Sequence, residues 1–273
     1  MIEWILPPKI EDFIKNKIDF IKNYFLSKGV IYNNKNLKNS FKNKRCFILG
    51  NAPTIKDIDI KLLKNENVFV MSTFYHHKDY PSLKKTFYSS ASISNHIESN
   101  LQVEYLKEID ASTKSTETFF FTVQQREQII KNNLFLDKNV YYISTNAHYR
   151  SFDISRLTKS YTTGVIQSLE IAMYMGFKEI FLHSVNLNEI CNNSQYDYFF
   201  DRKLMKFKDK DVYDNGQVKK DFFELVSGLH KTSNELKEVY DYAKMNGVEV
   251  YYTNNESMLK FFKFKKFEDI FKE

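Results

Sequence analysis

The amino-acid sequence predicts an α/β fold, a doubly wound and mostly parallel sheet of about six or seven strands. Three observations predict it. Short runs rich in Val, Ile, Phe and Tyr alternate with segments of helical periodicity, which is typical of βαβ units. These runs show little apolar/polar alternation, as in strands that are covered on both faces. The 273 residues also include only 7 Gly and 4 Pro, which is few for a barrel or a sandwich with many tight turns.

The predicted elements follow one another from residue 46 onward. The predicted strands are CFILG (46–50), VFVMS (68–72), TFYSS (86–90), TFFFT (118–122), VYYIS (140–144), EIFLHSV (179–185) and VEVYY (248–252). Helical patterns lie between them, at about 54–64, 94–109, 124–134, 164–176 and 230–246. In such a sheet, ligands bind outside the carboxyl ends of the strands.

Further segments flank the predicted sheet. Apolar residues at helical spacing within 4–27 predict an amphipathic helix, and the polar stretch 29–44 predicts a linker, so residues 1–43 stand apart from the main domain. Residues 44–255 form that α/β domain, which includes a charged, loop-like segment at 201–229. Residues 256–273, in which Phe is interleaved with Lys, predict a basic aromatic helix.

This C-terminal segment has two interpretations. A basic amphipathic helix is the pattern of an anchor at an anionic membrane surface. Alternatively, a terminal helix packs its phenylalanines on the domain and leaves its lysines in solvent. The sequence leaves both interpretations open.

Composition and charge restrict the function classes. The net charge of +6 is compatible with nucleotides, phosphates or an anionic membrane, but is too small and scattered to indicate a nucleic-acid-binding protein. Cys46 and Cys191 form no metal-binding or redox pattern. Charged residues interrupt the N-terminal apolar residues, and no apolar run approaches the roughly 20 residues of a membrane span. A cytoplasmic protein is expected, and its oligomeric state stays open.

The corner Gly50-Asn51-Ala52-Pro53 follows the first predicted strand. Glycine permits a close backbone approach, and Asn51 places an amide at the strand tip. Pro53 suits the first turn of a helix, whose free N–H groups attract a phosphate. The corner lacks the spacings of a dinucleotide fingerprint and of a P-loop, and an ordinary strand-to-helix turn remains the alternative.

A second corner, Thr162-Thr163-Gly164, precedes the helix predicted to end at Gly176. Two hydroxyls and a glycine at a helix start also favour an anion, although a simple threonine N-cap explains them equally well. A third candidate is His230, predicted at the start of the helix that ends near Met245. A single histidine is more often structural than catalytic.

In their order, these motifs resemble the bacterial sialyltransferases of glycosyltransferase family 42. The family's GNGPS-L corresponds to GNAPTI from Gly50, its TSG turn to Thr162-Thr163-Gly164, and its GYKEIYLSGIDFY to GFKEIFLHSVNLN from Gly176. Its Tyr-x-Phe-Asp segment corresponds to YFFD from Tyr198, and its Gly-His pair to Leu229-His230. The resemblance covers about residues 44–260 and extends to related flagellin glycosyltransferases of the motility accessory type.

The resemblance implies a Rossmann-like variant of the GT-A type and an inverting, metal-independent transferase without a cofactor. Its donor is a CMP-activated 2-keto sugar acid, such as sialic acid, and its acceptor a cell-surface glycan of the lipopolysaccharide or capsule kind. His230 is the implied general base. Tyr198 and Asn188 are implied to assist the leaving phosphate, and 201–229 to form a lid. The implied donor-binding residues are Gly50, Asn51, Ala52, Ser72, Ser89, Thr162, Thr163 and Gly164.

Three positions depart from the family pattern. Ser72 and Ser89 stand where the family has asparagines at strand tips, and Ser160 stands where it has an arginine. Two alternatives remain: a pyrophosphokinase-like phosphotransferase, since pterin pyrophosphokinase-like proteins resemble both corners, and a non-catalytic relative that binds a nucleotide, which the three serines make plausible. The string Asp57-x-Asp59 lies away from a strand end, so no metal site is expected there.

Overall fold

A computed structural model describes residues 29–91, 99–145, 147–187, 199, 213–214, 217–218 and 222–272. The predicted α/β fold is confirmed. Eight strands form one parallel sheet in the order β10-β9-β6-β1-β2-β3-β4-β5. These strands are β1 (Arg45–Leu49), β2 (Asn67–Met71), β3 (Lys85–Ser90), β4 (Thr118–Thr122), β5 (Asn139–Ile143), β6 (Glu179–His183), β9 (Glu249–Tyr252) and β10 (Lys263–Phe264). A separate short hairpin joins β7 (Tyr213–Asp214) to β8 (Gln217–Val218).

Four α-helices accompany the strands. They are α1 (Ser99–Ser112), α2 (Arg126–Lys131), α3 (Gly164–Tyr174) and α4 (Phe222–Met245). Helices α3 and α4 contribute to the apolar cluster on one face of the sheet, which also contains Ile48 and Leu182. Helices α1 and α2 contribute to the cluster on the other face. Successive strand residues point to opposite faces, and the strands contribute apolar residues to both clusters, so both faces of the sheet are covered.

The sheet reverses its winding direction at β1. Strand β1 pairs with β2 on one side and with β6 on the other, from Arg45–Glu179 to Leu49–His183. From β1 to β5 the chain moves steadily in one direction, and β6, β9 and β10 are then added on the opposite side. The carboxyl ends of β1 and β6 consequently border the crevice in which doubly wound folds bind ligands.

Helix α4 extends beyond the sheet. It leads directly into β9, so its C-terminal end lies at the amino edge of the sheet and its N-terminal end points toward the carboxyl edge. Its 24 residues span about 36 Å at 1.5 Å per residue, much more than any strand here. Leu236, Val239 and Ala243 in its second half join the core, whereas Phe223 near its start is exposed.

The segment before β1 is not the linker that its polar composition predicted. The structure has a short 3₁₀-helix at Tyr32–Leu37, in which Asn34 is fully buried. The Asn34 side-chain N–H group donates to the backbone carbonyls of Tyr142, at 2.8 Å, and Ile154, at 2.7 Å. The ring of Phe41 stacks on Phe177. This part of the predicted extension belongs to the domain, while the helix predicted within 4–27 lies outside the described residues.

The prediction of a helix over residues 256–273 is wrong. The structure has turns, then β10 at Lys263–Phe264, and then a 3₁₀-helix at Phe267–Phe271. Phe262 and Phe267 are buried against the sheet, one on each face. Because these phenylalanines must reach opposite faces, the chain crosses the sheet edge as a strand, which a single helix would not allow.

Candidate functional site

The first corner closes against the end of β6. The Gly50 N–H group donates to the His183 carbonyl at 2.8 Å, and the Ala52 N–H group donates to the Ser184 carbonyl at 3.4 Å. A Cβ added at Gly50 would lie only 2.0 Å from the Ser184 carbonyl oxygen. Gly50 therefore serves to let two backbones meet, and this close approach locks the β1 and β6 ends together.

The helix predicted at 54–64 is replaced by two short 3₁₀-helices, Pro53–Asp57 and Ile60–Leu63. Short 3₁₀ segments lack the aligned dipole of a long α-helix. The expected phosphate site at a helix N-terminus after Pro53 is therefore not formed. What the corner offers instead is its backbone and the amide of Asn51.

His183, at the end of β6, contacts this corner through its side chain. Its Nε2 lies 3.1 Å from the Thr54 carbonyl, and its Nδ1 lies 2.7 Å from the Thr253 hydroxyl. Burial lowers the pKa of His183, although the Thr54 carbonyl partly offsets this effect. In the neutral ring Nε2–H donates to the Thr54 carbonyl, and Nδ1 competes with the Leu182 carbonyl, 3.0 Å from the Thr253 hydroxyl, for the single proton of that hydroxyl. His183 thus acts as a structural clamp between β6, β9 and the corner.

Asn51 lies at the crevice with one atom unused. Its side-chain N–H group donates to the Met71 carbonyl at 3.3 Å. Its Oδ1 is buried and has no hydrogen-bond partner within the part of the chain that the structure describes. Its backbone carbonyl accepts from the N–H group of Phe199, whose ring packs against Phe74 and His77. A buried acceptor without a donor is costly, so a bound ligand that donates to Oδ1 would stabilise this corner.

Ser72 and Ser89, both predicted to bind the donor, differ in their surroundings. Ser72 directly follows β2 and is half-buried, with a φ of +54°. This left-handed conformation is uncommon for a non-glycine residue, and it turns the chain sharply at the crevice. Ser89 is completely buried, and its hydroxyl lies 2.5 Å from that of Ser168 in α3. Ser89 thus links α3 to β3, and its buried side chain is not accessible to a donor nucleotide.

The second corner meets the first across Met71. A Cβ added at Gly164 would lie 3.1 Å from the Met71 sulfur, and the Met71 carbonyl is the acceptor of Asn51 described above. Thr163 is the N-cap of α3, since its hydroxyl oxygen accepts from the Ile166 N–H group at 3.4 Å. That hydroxyl keeps its own proton to donate. The two corners are more than 100 residues apart in the sequence, yet they border one crevice.

Thr162 faces the protein rather than the crevice. Its backbone N–H group and its hydroxyl both contact Oε2 of Glu235 in α4, each at 3.1 Å. Thr162 is therefore already bonded to a carboxylate, and a donor phosphate at this turn would depend on Thr163 and Gly164.

A buried cluster of charges supports this contact. Arg150 lies 3.0 Å from Glu170 and 3.1 Å from Glu235, and the side chains of all three are almost completely buried. The third carboxylate at 3.3 Å, Glu238, is 41% exposed and also pairs with Lys159. Burial raises the pKa of Glu170, and Arg150 partly offsets the rise. The cluster joins α3, α4 and the loop after β5 at the carboxyl edge of the sheet.

His230 lies on α4 but not at its start. The helix begins at Phe222, so His230 is in its third turn, and residues 222–229 of the predicted loop-like segment are helical. The His230 side chain is exposed, with Nε2 3.1 Å from the amide nitrogen of Asn234. With the amide in the opposite orientation, Nε2–H would donate to the Asn234 oxygen and leave a free lone pair on Nδ1. Asn234 therefore orients the imidazole in either arrangement.

Two predicted site residues, Tyr198 and Asn188, lie outside the described residues, as do most of 201–221. Phe199, which directly follows Tyr198 in the sequence, is bound to Asn51 as described above. Sequence reasoning missed Glu235, Arg150 and His183. A signal existed for Glu235, because it lies at apolar-face spacing with Thr232, Leu236 and Val239, where a buried carboxylate needs a partner.

No protein-family model matches this sequence, and no curated protein matches it. In the described parts of the chain, no group of three His, Cys, Asp or Glu side chains is placed to share a metal ion. Nor does any helix described here have the length and apolarity to cross a membrane.

Proposed function

We propose that this protein is a glycosyltransferase that moves a 2-keto sugar acid from a CMP-activated donor to a glycan hydroxyl, with inversion and without a metal ion. One observation carries the proposal. The two corners that resemble the sialyltransferase motifs are brought together across Met71, at the switch point of a doubly wound sheet. A nucleotide site is the usual occupant of such a crevice.

The donor would bind where polar groups at the crevice can still form hydrogen bonds. Asn51 offers a buried Oδ1, without a partner among the described residues, that suits an amino or hydroxyl donor of the cytidine. Ser72 and the backbone at Ala52 border the same crevice. Thr163 has a hydroxyl proton for the phosphate, at the N-terminus of α3, where the helix dipole favours an anion.

The reaction would be a single displacement. His230 removes the proton of the acceptor hydroxyl while that oxygen forms a bond to the anomeric carbon. The bond from this carbon to the phosphate oxygen breaks, and CMP leaves with the electron pair. Tyr198 and Asn188 are proposed to donate hydrogen bonds to the leaving phosphate. Attack opposite to the leaving group inverts the configuration.

The proposal is tested by CMP binding and by sugar transfer. CMP and CDP should raise the melting temperature of the purified protein in EDTA, and by more than UDP, GDP or ATP do. His230→Ala should lower transfer from a CMP-activated sialic acid by roughly 100-fold to 10,000-fold and leave CMP affinity unchanged, because the base touches the acceptor. His148→Ala, which removes another exposed histidine, is the matched control and should transfer normally.

The same assays separate the alternatives. A phosphotransferase would require ATP with magnesium, and a non-catalytic relative would bind CMP without releasing it from a donor. Full transfer by a well-folded His230→Ala protein would remove His230 from the mechanism.

A further inference from the structure

Glu235 makes the only side-chain bridge that we find, among the described residues, between the Thr162-Thr163-Gly164 turn and α4. Its Oε2 receives the N–H group and the hydroxyl of Thr162, each at 3.1 Å, and lies 3.1 Å from a guanidinium nitrogen of Arg150. The residue is 0% exposed. Two hydrogen bonds and one ion pair on this buried oxygen define its position more narrowly than a single contact would.

Stabilisation alone does not explain this bridge, because burying its charges is unfavourable. A buried ion pair loses much of its attraction to the cost of removing both charges from water. Here Arg150 alone faces two fully buried carboxylates, Glu170 and Glu235. A pair of apolar side chains would hold α3 against α4 without this desolvation cost. What a carboxylate adds is direction, because it specifies where the N–H group and the hydroxyl of Thr162 must lie.

The bridge also has a place relative to the proposed base. His230 precedes Glu235 by five residues on the same helix, which is about 7.5 Å along the axis. His230 is exposed and Glu235 is buried, so they occupy different faces of α4. The helix is a rigid connection between them, and the distance from the imidazole to the turn is therefore set where Glu235 meets Thr162.

We propose that Glu235 is a positioning residue, which fixes the spacing between His230 and the donor side of the crevice at Thr163 and Gly164. This inference rests on the proposed function. A transferase needs its base and its donor in one geometry, and a displacement of about 1 Å can cost roughly 100-fold in rate. Without Glu235, the turn loses its side-chain contact with α4, and the base loses its register with the anomeric carbon.

The decisive experiment is a double-mutant cycle on transfer. Glu235→Ala should lower kcat roughly tenfold to 100-fold in the wild-type background. In a His230→Ala background the same change should lower kcat by much less, because no base is left to be misplaced. A purely structural role would lower kcat by the same factor in both backgrounds, and that result would overturn the proposal.

Two further variants distinguish a specific effect of Glu235 from a general loss of folding. Glu235→Gln keeps an oxygen that can accept from Thr162, so it should recover most of the kcat that Glu235→Ala loses. Asp241→Asn, on the same helix and paired with Lys237 outside the Arg150 cluster, should leave kcat unchanged. A loss in Asp241→Asn equal to that in Glu235→Ala would contradict the specific role of Glu235.

Amide hydrogen exchange tests the bridge without any activity. Glu235→Ala should accelerate exchange at residues 162–166, and Thr162→Val should accelerate exchange on α4 around 230–236. Unchanged exchange in both would show that the bridge does not constrain either element, whatever the protein catalyses. If the wild type neither binds CMP nor transfers, the proposed function fails and the positioning role falls with it, even where the exchange result stands.

Discussion

Gly50→Ala should destabilise the protein far more than an exchange of glycine for alanine usually does. The new Cβ would lie 2.0 Å from the Ser184 carbonyl oxygen, 2.8 Å from its carbon and 3.2 Å from a methyl group of Val185. The first two atoms belong to the backbone, which cannot rotate away as a flexible side chain does. The end of β6 must therefore move away from the end of β1.

The magnitude follows from what this movement breaks. The Gly50–His183 and Ala52–Ser184 backbone hydrogen bonds each contribute about 0.5–1.5 kcal/mol. Forcing a methyl group into a packed site costs a further 1–3 kcal/mol or so. The free energy of unfolding should thus fall by about 2–6 kcal/mol, and CMP affinity should fall with it, because Asn51 moves with the corner.

Urea unfolding of three variants provides the assay and its controls. Gly228 lies inside α4 with nothing within 4 Å of an added Cβ, so Gly228→Ala should stabilise the protein by about 0.5–1 kcal/mol. Gly164→Ala meets only the flexible side chain of Met71 and should cost less than Gly50→Ala. A Gly50→Ala protein as stable as the wild type would refute the close contact between β1 and β6.

Two further predictions concern pH and the C-terminal surface. The pKa of His183 is lowered in the folded state, so below pH ~6.5 the unfolded chain takes up a proton that the folded chain does not, and the free energy of unfolding falls as pH drops from 7 to 5. His183→Gln should make the free energy of unfolding depend less on pH. Glu170 has the opposite effect on this slope, but it is present in both proteins and cancels when the wild-type slope is subtracted. Equal slopes in the two proteins would show that His183 does not cause the pH dependence. The second prediction starts from Met258, Phe261 and Phe264, which are exposed beside lysines at the sheet edge. We propose weak, salt-sensitive binding to anionic vesicles, lost when Lys263, Lys265 and Lys266 are reversed to Glu; no sedimentation of the wild type with vesicles at low salt would contradict it.

The strands could be predicted from the sequence because most are short runs rich in Val, Ile, Phe and Tyr. All seven predicted strands are present, with ends that differ by at most two residues. Strand β10 was missed because its two residues alternate Lys with Phe, a pattern that fits a helix equally well. The start of α4 was missed because Gly228 resembles a helix boundary, whereas the apolar face that follows it holds the helix together.

The candidate site was predictable only in part. The sequence identifies corners at strand ends, since glycine, asparagine and threonine are uncommon within apolar strands. It does not show which side chains are already bonded to the protein. Ser89 is paired with Ser168, 79 residues later, and Thr162 with Glu235, 73 residues later. Such pairings depend on the packing of α3 and α4 against the sheet, which no local pattern specifies.

The central place of β1 has a consequence for how the chain folds as it is made. Its partner β6 ends about 130 residues later in the sequence. At about 5–20 residues per second, synthesis of that stretch takes on the order of 10 s. Until then, β1 to β5 can pair only among themselves, and β1, which lies inside the finished sheet, is an exposed edge. Such an edge readily pairs with other chains, so β1 is the segment through which a stalled or truncated chain would aggregate.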